Sequence, residues 1–299
     1  MEWIIVDDGT DKIEDIISLY NIPQIKYFKY DTKMTLGKKR NLCHEKCKGD
    51  IIIYMDDDDY YPPERVSHAV ETLMKNPKAL CAGSSGMLIY FKHINKMYQF
   101  GPYGPNHSTA ATFAFRKELL LQTSFDDNAS VSEEKHFLKG YTIPFVQLDS
   151  KKCILVFSHI HNSFDKKILL ETLNDYISVS NVKVEDIVKE KDIRKFFLED
   201  IDKKLQTYKP GSIENKPDVI LQIDNIKKNR ENQLKQNQQD LAAVNAYTKL
   251  IEKHSNNEIK DKYERKINDM MEIIQELMNE NKLLKEKISY FENINNKTI

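Results

Sequence analysis

Two apolar runs that each end in aspartate constrain this chain more than any other feature. "WIIVDDG" (3–9) and "IIIYMDDDD" (51–59) are β-branched stretches too short for helices, and both stop at acid. Between them "KIEDIISLYNI" reads as helix and "QIKYFKYD" (24–31) alternates like a strand. "LGKKRNLCHEKCKGD" then carries Leu42, Lys46, Cys43 and Cys47 at helical spacing. "PERVSHAVETLMKNP" opens at a proline and sets Val66, Ala69, Val70 and Leu73 on one helix face. "ALCAGSSGMLIYF", "KMYQFG", "PFVQLDS" and "KCILVFSHIHN" are strand-like. "TAATFAFRKELLLQTSF" passes from strand to helix, and "SVSEEKHFLKG" is helical. This alternation predicts an α/β domain on a mostly parallel sheet flanked by helices. Such sheets bind ligands outside the carboxyl ends of their strands, where both acidic clusters fall.

The character changes near Phe164. "DKKILLETLNDYI" and "DIVKEKDIRKFFLEDIDKKL" read as amphipathic helices and "YKPGSIENKPD" (208–218) as a linker, with no strand expected in the final third. The expected organisation is therefore an α/β domain over 1–163, a helical extension and linker over 164–221, and a polar helical tail over 222–299. Heptads start at Ile267, with Ile267, Ile274, Asn281 and Ile288 at a and Met270, Leu277, Leu284 and Phe291 at d. A single Asn at a fixes register and favours two strands, so a parallel homodimeric coiled coil is expected.

Charge and cysteine content exclude several classes. With 45 Lys and Arg against 46 Asp and Glu, the net charge of −1 gives no global case for nucleic-acid binding. No run of 18 or more apolar residues is present, so no transmembrane helix is expected. "MEWIIVDDGTD" has neither the basic start nor the cleavage site of a signal peptide. Four cysteines make no disulfide framework at this length, and Cys43 and Cys47, one turn apart, read as packing residues. A cytoplasmic location is expected. His44, His68, His93 and His254 are expected at the surface.

Asp56, Asp57, Asp58 and Asp59 repel one another, and a cation would relieve that. A receiver domain would need a Lys-Pro after its last strand, which "YQFGPYGP" lacks. A phosphatase of the haloacid-dehalogenase type would need Thr or Val where Tyr60 stands, and a calcium loop would need a Gly and a Glu that are absent. A nucleotide-sugar transferase fits the pattern. The donor diphosphate needs Mg²⁺ or Mn²⁺ on hard carboxylate oxygens. A separate acid must deprotonate the acceptor, and "SVSEEKHFL" offers Glu133 and Glu134.

"EWIIVDDGTD", "LGKKRNLCHEKCKGDIIIYMDDDDYYPPERV", "TFAFRKELL" and "SEEKHFL", in that order and spacing, resemble family 2 glycosyltransferases over roughly residues 1–160. The resemblance implies a GT-A fold, of Rossmann-like build, and inverting transfer from a nucleotide-sugar to a glycan or protein acceptor. It implies that Asp8 bonds the donor base while Asp7 shapes the turn, and that Lys38 and Arg40 line the nucleotide pocket. Asp58 would hold Mn²⁺ or Mg²⁺, with Asp56 or Asp57 near the ribose. Asp59 would serve either helix entry or the metal. Glu134 stands at the catalytic-base position, usually Asp, and Glu133 at that of an acid orienting the acceptor. Enzymes of this fold often complete the metal site with a late histidine, here His161 or His159 of "SHIHN"; His161 is the expected ligand. His107 of "GPYGPNHS" is a candidate acceptor contact. The family also has an apolar strand ahead of the one matched by "WIIVDD", so the domain is expected to be N-terminally incomplete. The rival expectation is a non-enzymatic coiled-coil protein carrying a degenerate domain of this kind.

Overall fold

The computed structural model describes residues 1–131, 133–162, 166–170, 175–253 and 263–280. They fall into two compact units, one of Met1–Lys166 with Leu173–Ile220 and the other of Lys167–Thr172 with Leu221–Ile299.

The first unit alternates strand and helix from its start. In order come β1 (Trp3–Asp7), α1 (Glu14–Tyr20), β2 (Ile25–Lys29), α2 (Leu36–Lys46), β3 (Ile51–Ile53) and α3 (Arg65–Lys75). Next are β4 (Cys81–Gly83), β5 (Met87–Phe91), β6 (Lys96–Phe100), β7 (Ala114–Arg116), α4 (Glu134–Phe137), β8 (Phe145–Gln147), β9 (Leu155–Phe157) and β10 (Ile177–Val179). Helices α5 (Val184–Ile187), α6 (Lys191–Lys195) and α7 (Ile201–Thr207) follow, and α8 (Pro217–Lys253) begins in this unit.

The α/β class is as expected, but the strands do not form one mostly parallel sheet. They make a pair, β1-β2, and two four-stranded sheets ordered β3-β7-β4-β8 and β10-β6-β5-β9. β1 with β2, β4 with β8 and β5 with β9 are parallel. The antiparallel pairs arise because β7 threads between β3 and β4, and because β5 and β6 form a hairpin extended by β10. A hairpin needs only a tight connection, whereas a parallel neighbour needs a crossover. Segment 165–177, expected to be helical, ends in β10, whose Ile177 to Val179 pair with Phe100 to Tyr98. The helix expected after β7 is a single 3₁₀ stretch, Lys117–Leu121.

Two apolar clusters fill this unit. One gathers Ile52, Cys81, Phe113, Phe115, Phe125 and Phe137; the other gathers Tyr60, Leu88, Leu155, Phe157 and Val188. α3 turns Ala69 and Leu73 inward, following its apolar stripe. His44, expected at the surface, is buried in the first cluster. Its ring lies within 6.0 Å of Tyr54, Phe115, Phe125 and Phe137, and its Nε2 bonds the Tyr54 hydroxyl. The face of α2 that carries His44 looks into the aromatic cluster rather than out. Cys43 and Cys47 are free thiols, and Cys47 packs against the same cluster.

Arg65 is the largest fully buried side chain. Its Nη2 donates to the carbonyls of Thr112 at 2.8 Å, Phe113 at 2.9 Å and Tyr54 at 3.3 Å. The guanidinium thus ties the start of α3 to the backbone just after β3 and just before β7. Among the described residues its Nε and Nη1 have no hydrogen-bond partner.

In the second unit α8 continues to Lys253, and residues 263–280 are also helical. Along that stretch Met270 and Leu277, the expected d positions, are exposed, while Ile267 and Ile274 are half-buried. Asn281, Leu284, Ile288 and Phe291 lie outside the described residues, as does His254. Among the described residues, no helix is long and apolar enough to cross a membrane.

Candidate active site

The acidic run leaves β3 as a loop clamped on both sides. Tyr60 pairs with Leu155 through two backbone hydrogen bonds, of 3.1 and 2.8 Å. Asp59 Oδ1 accepts from the Phe157 N–H at 3.2 Å. The Tyr61 hydroxyl accepts from the Asp56 N–H at 2.7 Å and donates to the Ala111 carbonyl at 3.2 Å. β9 therefore runs alongside the loop, and the residues just beyond its end are delivered to the carboxylates.

That delivery selects His159. Its Nε2 lies 3.2 Å from Asp58 Oδ2, and Asn162 Nδ2 donates to the same oxygen at 3.1 Å. The turn that makes this possible is set by Asn162, whose Oδ1 accepts from the His159 N–H at 2.8 Å. Burial works to raise the Asp58 pKa, but the His159 contact and the Lys166 ammonium outweigh it and hold the carboxyl well below the usual range. Its neighbour Asp59 behaves oppositely, because burial and the Asp58 charge push it well upward. Asp59 is a clip onto β9. Desolvation pushes Asp56 up to about 6 against the attraction of Arg40, with Asp58 and Asp57 adding to the rise. Asp57 is exposed.

His161 goes elsewhere. Its ring packs on Tyr208 with centroids 6.3 Å apart, and a side chain at Gly211 would strike its Nδ1 at 2.5 Å. Of the two histidines, the structure brings only His159 to Asp58.

The first acidic strand end divides its work as well. Asp7 accepts from the Gly9 N–H at 2.9 Å, the Ile13 N–H at 3.2 Å and the Tyr27 hydroxyl at 2.5 Å, which fastens the turn. Asp8 accepts from the Met34 N–H at 2.7 Å and from Lys39 Nζ at 3.0 Å. Lys38 is exposed, and its backbone N–H donates to the Thr35 hydroxyl that caps α2. The phase of α2 is fixed by Gly37, where a Cβ would stand 2.0 Å from the Asp126 carbonyl oxygen. That close approach turns Lys39 and Arg40 inward and Lys38 out.

Arg40 lies against two aromatic rings, 5.1 Å from the Tyr54 centroid and 5.2 Å from that of Phe125. It pairs with Glu133 and reaches Asp56 at 4.0 Å. Glu133, expected beside the acceptor, is buried against Arg40 and precedes α4. Glu134 opens α4, half-buried, and its charge acts on both Arg40 and Tyr141. Sequence reasoning missed Lys39, Asn162 and Lys216. Lys216 donates to the His161 carbonyl at 3.4 Å and is drawn by the charges of Asp58 and Asp57. The triplet Lys38-Lys39-Arg40 was the only sequence signal for any of them.

The donor chemistry suits a divalent cation. A carboxylate oxygen and an imidazole nitrogen 3.2 Å apart match two ligands of one ion, since neighbouring octahedral ligands at roughly 2.1 Å stand about 3 Å from each other. Among the described residues no group of three or more His, Cys, Asp or Glu side chains is placed to hold a metal. Two protein ligands, with phosphate oxygens and water completing the shell, is a usual arrangement for Mg²⁺-type sites.

The first unit is thus a helix-flanked α/β domain with carboxylates, cations and a histidine gathered at its strand ends. Residues 1–121 match the model of glycosyl transferase family 2. An uncharacterized glycosyltransferase of Haemophilus influenzae is 29% identical over 76 residues, 25% of this chain and 26% of the relative. The chain thus spans about a quarter of the length of that curated relative. Among solved structures, a mannosyltransferase of Pyrobaculum calidifontis in complex with GDP-Man and Mn²⁺ superposes with a TM-score of 0.39 at 12% identity. It covers 52% of this chain and 47% of its own. S. aureus TarS 1–349 in complex with UDP-GlcNAc gives 0.38 at 16% identity, over 76% of this chain and 71% of its own.

Proposed function

We propose that this chain is a metal-dependent inverting glycosyltransferase of GT-A type, moving a sugar from a nucleotide-sugar donor to an acceptor hydroxyl on a glycan or protein. One observation carries the reading: Asp58 and His159 converge at the end of β3 within a domain whose first 121 residues match the family model. A Mn²⁺ or Mg²⁺ ion held by Asp58 and His159 would neutralise the donor diphosphate and stabilise it as it departs.

The chain's own residues supply the rest. Asp8, fixed by Met34 and Lys39, takes the donor base, and Asp56 or Asp57 takes the ribose. Arg40, held by Glu133, carries positive charge into the acidic loop. Lys39 and Lys216 offer further cations near the phosphates. Glu134 removes the proton from the acceptor hydroxyl, which attacks the anomeric carbon from the side opposite the diphosphate. The configuration at that carbon inverts. Glu133 acts by positioning Arg40 rather than by touching the acceptor.

The four free cysteines suit a reducing compartment, and we place the protein in the cytoplasm. The heptads from Ile267 make the tail a homodimeric coiled coil in this reading, and the exposed Met270 and Leu277 support it. No nucleic-acid partner is invoked.

The test is release of nucleoside diphosphate from UDP- and GDP-sugars by the full chain, with MnCl₂ or with EDTA. Metal-dependent release with at least one donor is expected. No release with any donor, together with no nucleotide binding, would favour the non-enzymatic coiled-coil reading.

A further inference from the structure

Four aromatic rings form a row whose Tyr141 end lies within the field of Glu134, and glycosyl transfer as described makes no use of them. Tyr103 and His107 lie in the loop between β6 and β7, Tyr141 in the turn after α4, and Tyr176 just before β10. Their centroids form a continuous chain: Tyr176 to Tyr103 at 5.2 Å, Tyr103 to His107 at 5.0 Å and His107 to Tyr141 at 5.4 Å. All four residues are half-buried.

The platform is held by a built framework. Ser85 Oγ accepts from the N–H groups of Tyr103 at 2.7 Å and Gly104 at 3.1 Å, and lies 3.3 Å from His107 Nδ1. Gln147 Nε2 donates to the carbonyls of Pro105 at 2.8 Å and His107 at 2.9 Å. Tyr141 sits at φ +67°, after Lys139 at +49° and Gly140 at +65°. A bulky aromatic residue in left-handed backbone is rare, and the turn enforces it through Gly140 N–H to the Lys135 carbonyl and Thr142 N–H to that of Leu138. The conformation sets the Tyr141 ring against His107 and within the field of Glu134.

The chemistry of this surface is specific. Its rings give apolar faces, its hydroxyls and imidazole give hydrogen-bonding tips, and none of the four side chains carries a fixed charge. A pyranose has the matching form, an apolar C–H face rimmed by hydroxyls. A phosphorylated or acidic ligand would need cations there. We infer that the platform is an acceptor subsite for a neutral carbohydrate, whose ring stacks on Tyr141 and His107 and presents a hydroxyl to Glu134. The inference rests on the glycosyl-transfer reading and deepens it from any hydroxyl acceptor to a sugar.

Saturation-transfer NMR on the full chain tests it, using the methyl α- and β-glycosides of glucose, galactose and N-acetylglucosamine, with a Ser/Thr-containing peptide as control. UDP or GDP with Mn²⁺ is measured in the same samples, so failure of the donor site reads out separately. The expected result is saturation of ring C–H protons of at least one glycoside. Binding should weaken on the order of tenfold in Tyr141→Leu and in His107→Ala, persist in Tyr141→Phe, and leave nucleotide binding unchanged. Absence of glycoside saturation, saturation untouched by both Tyr141→Leu and His107→Ala, or saturation of the peptide alone would overturn the inference.

Discussion

The two sides of the candidate site are built from different material. One side carries ion pairs, Lys39 with Asp8 and Arg40 with Glu133, beside the contact of His159 with Asp58. The other is a row of aromatic rings, Tyr176, Tyr103, His107 and Tyr141. Paired charges that reach solvent hold one another ready for an ionic ligand, which binds by exchanging partners rather than by meeting bare charge. Rings bind through area and shape, and discriminate against ions. A reaction joining a charged donor to a neutral acceptor needs both, with a base at the seam. In the proposed reading Glu134 is that base, and its charge acts on Arg40 on one side and Tyr141 on the other.

The largest expected effect lies at the seam. Glu134→Gln keeps shape but removes the base, so steady-state transfer should fall by roughly 10²–10⁴-fold while calorimetric nucleotide affinity stays unchanged. Parallel losses of turnover and nucleotide binding would place Glu134 on the charged side and break the division.

A second effect belongs to the aromatic core beneath Tyr54. Desolvation lowers the buried His44 from an ordinary 6.5 to about 4. Between those values the unfolded chain binds a proton that the folded chain refuses. Stability is therefore full above about 6.5 and falls as pH drops toward about 4, by up to ~3 kcal/mol. Urea unfolding across that range should show the decline, and His44→Phe should flatten the His44 part of it. An unchanged slope in the variant would assign the pH dependence to other groups.

The charged side makes a sharper claim about neighbours. His159→Ala should weaken Mn²⁺ affinity by about 10–100-fold, measured with a metal indicator, whereas His161→Ala should leave it within about twofold. Lys39→Met should weaken nucleoside diphosphate binding by about tenfold, with the salt dependence reduced, and Lys38→Met should change neither. Equal effects within either pair would mean that the side-chain placement described for that pair is not the one that binds.

How much of this the sequence disclosed differs between the two sides for a physical reason. The charged side depends on local pattern: β-branched runs ending in acid read as buried strands whose carboxyl ends are the binding edge, so both acidic clusters could be placed there, while the choice of Asp8 and Asp58 within them came from the family resemblance. What stayed hidden there was phase. Lys38 and Lys39 are adjacent, and only the wedge of Gly37 against the Asp126 carbonyl decides which turns inward. His159 and His161 share a strand face on paper, and the Asn162 turn removes one of them. The aromatic side joins residues from positions 103 to 176 through a loop, a left-handed turn and β10, an element the amphipathic pattern of that segment concealed. His44 misled for the same reason, since one polar residue on a helix says nothing of what the facing sheet will cover.

The most direct test of the account is a calorimetric titration of UDP and of GDP into the full chain with Mn²⁺, repeated with EDTA and with the Asp58→Asn variant. The account predicts binding of at least one nucleotide that requires Mn²⁺ and is lost in Asp58→Asn. Nucleotide binding of equal strength in EDTA, or undiminished in Asp58→Asn, would contradict it.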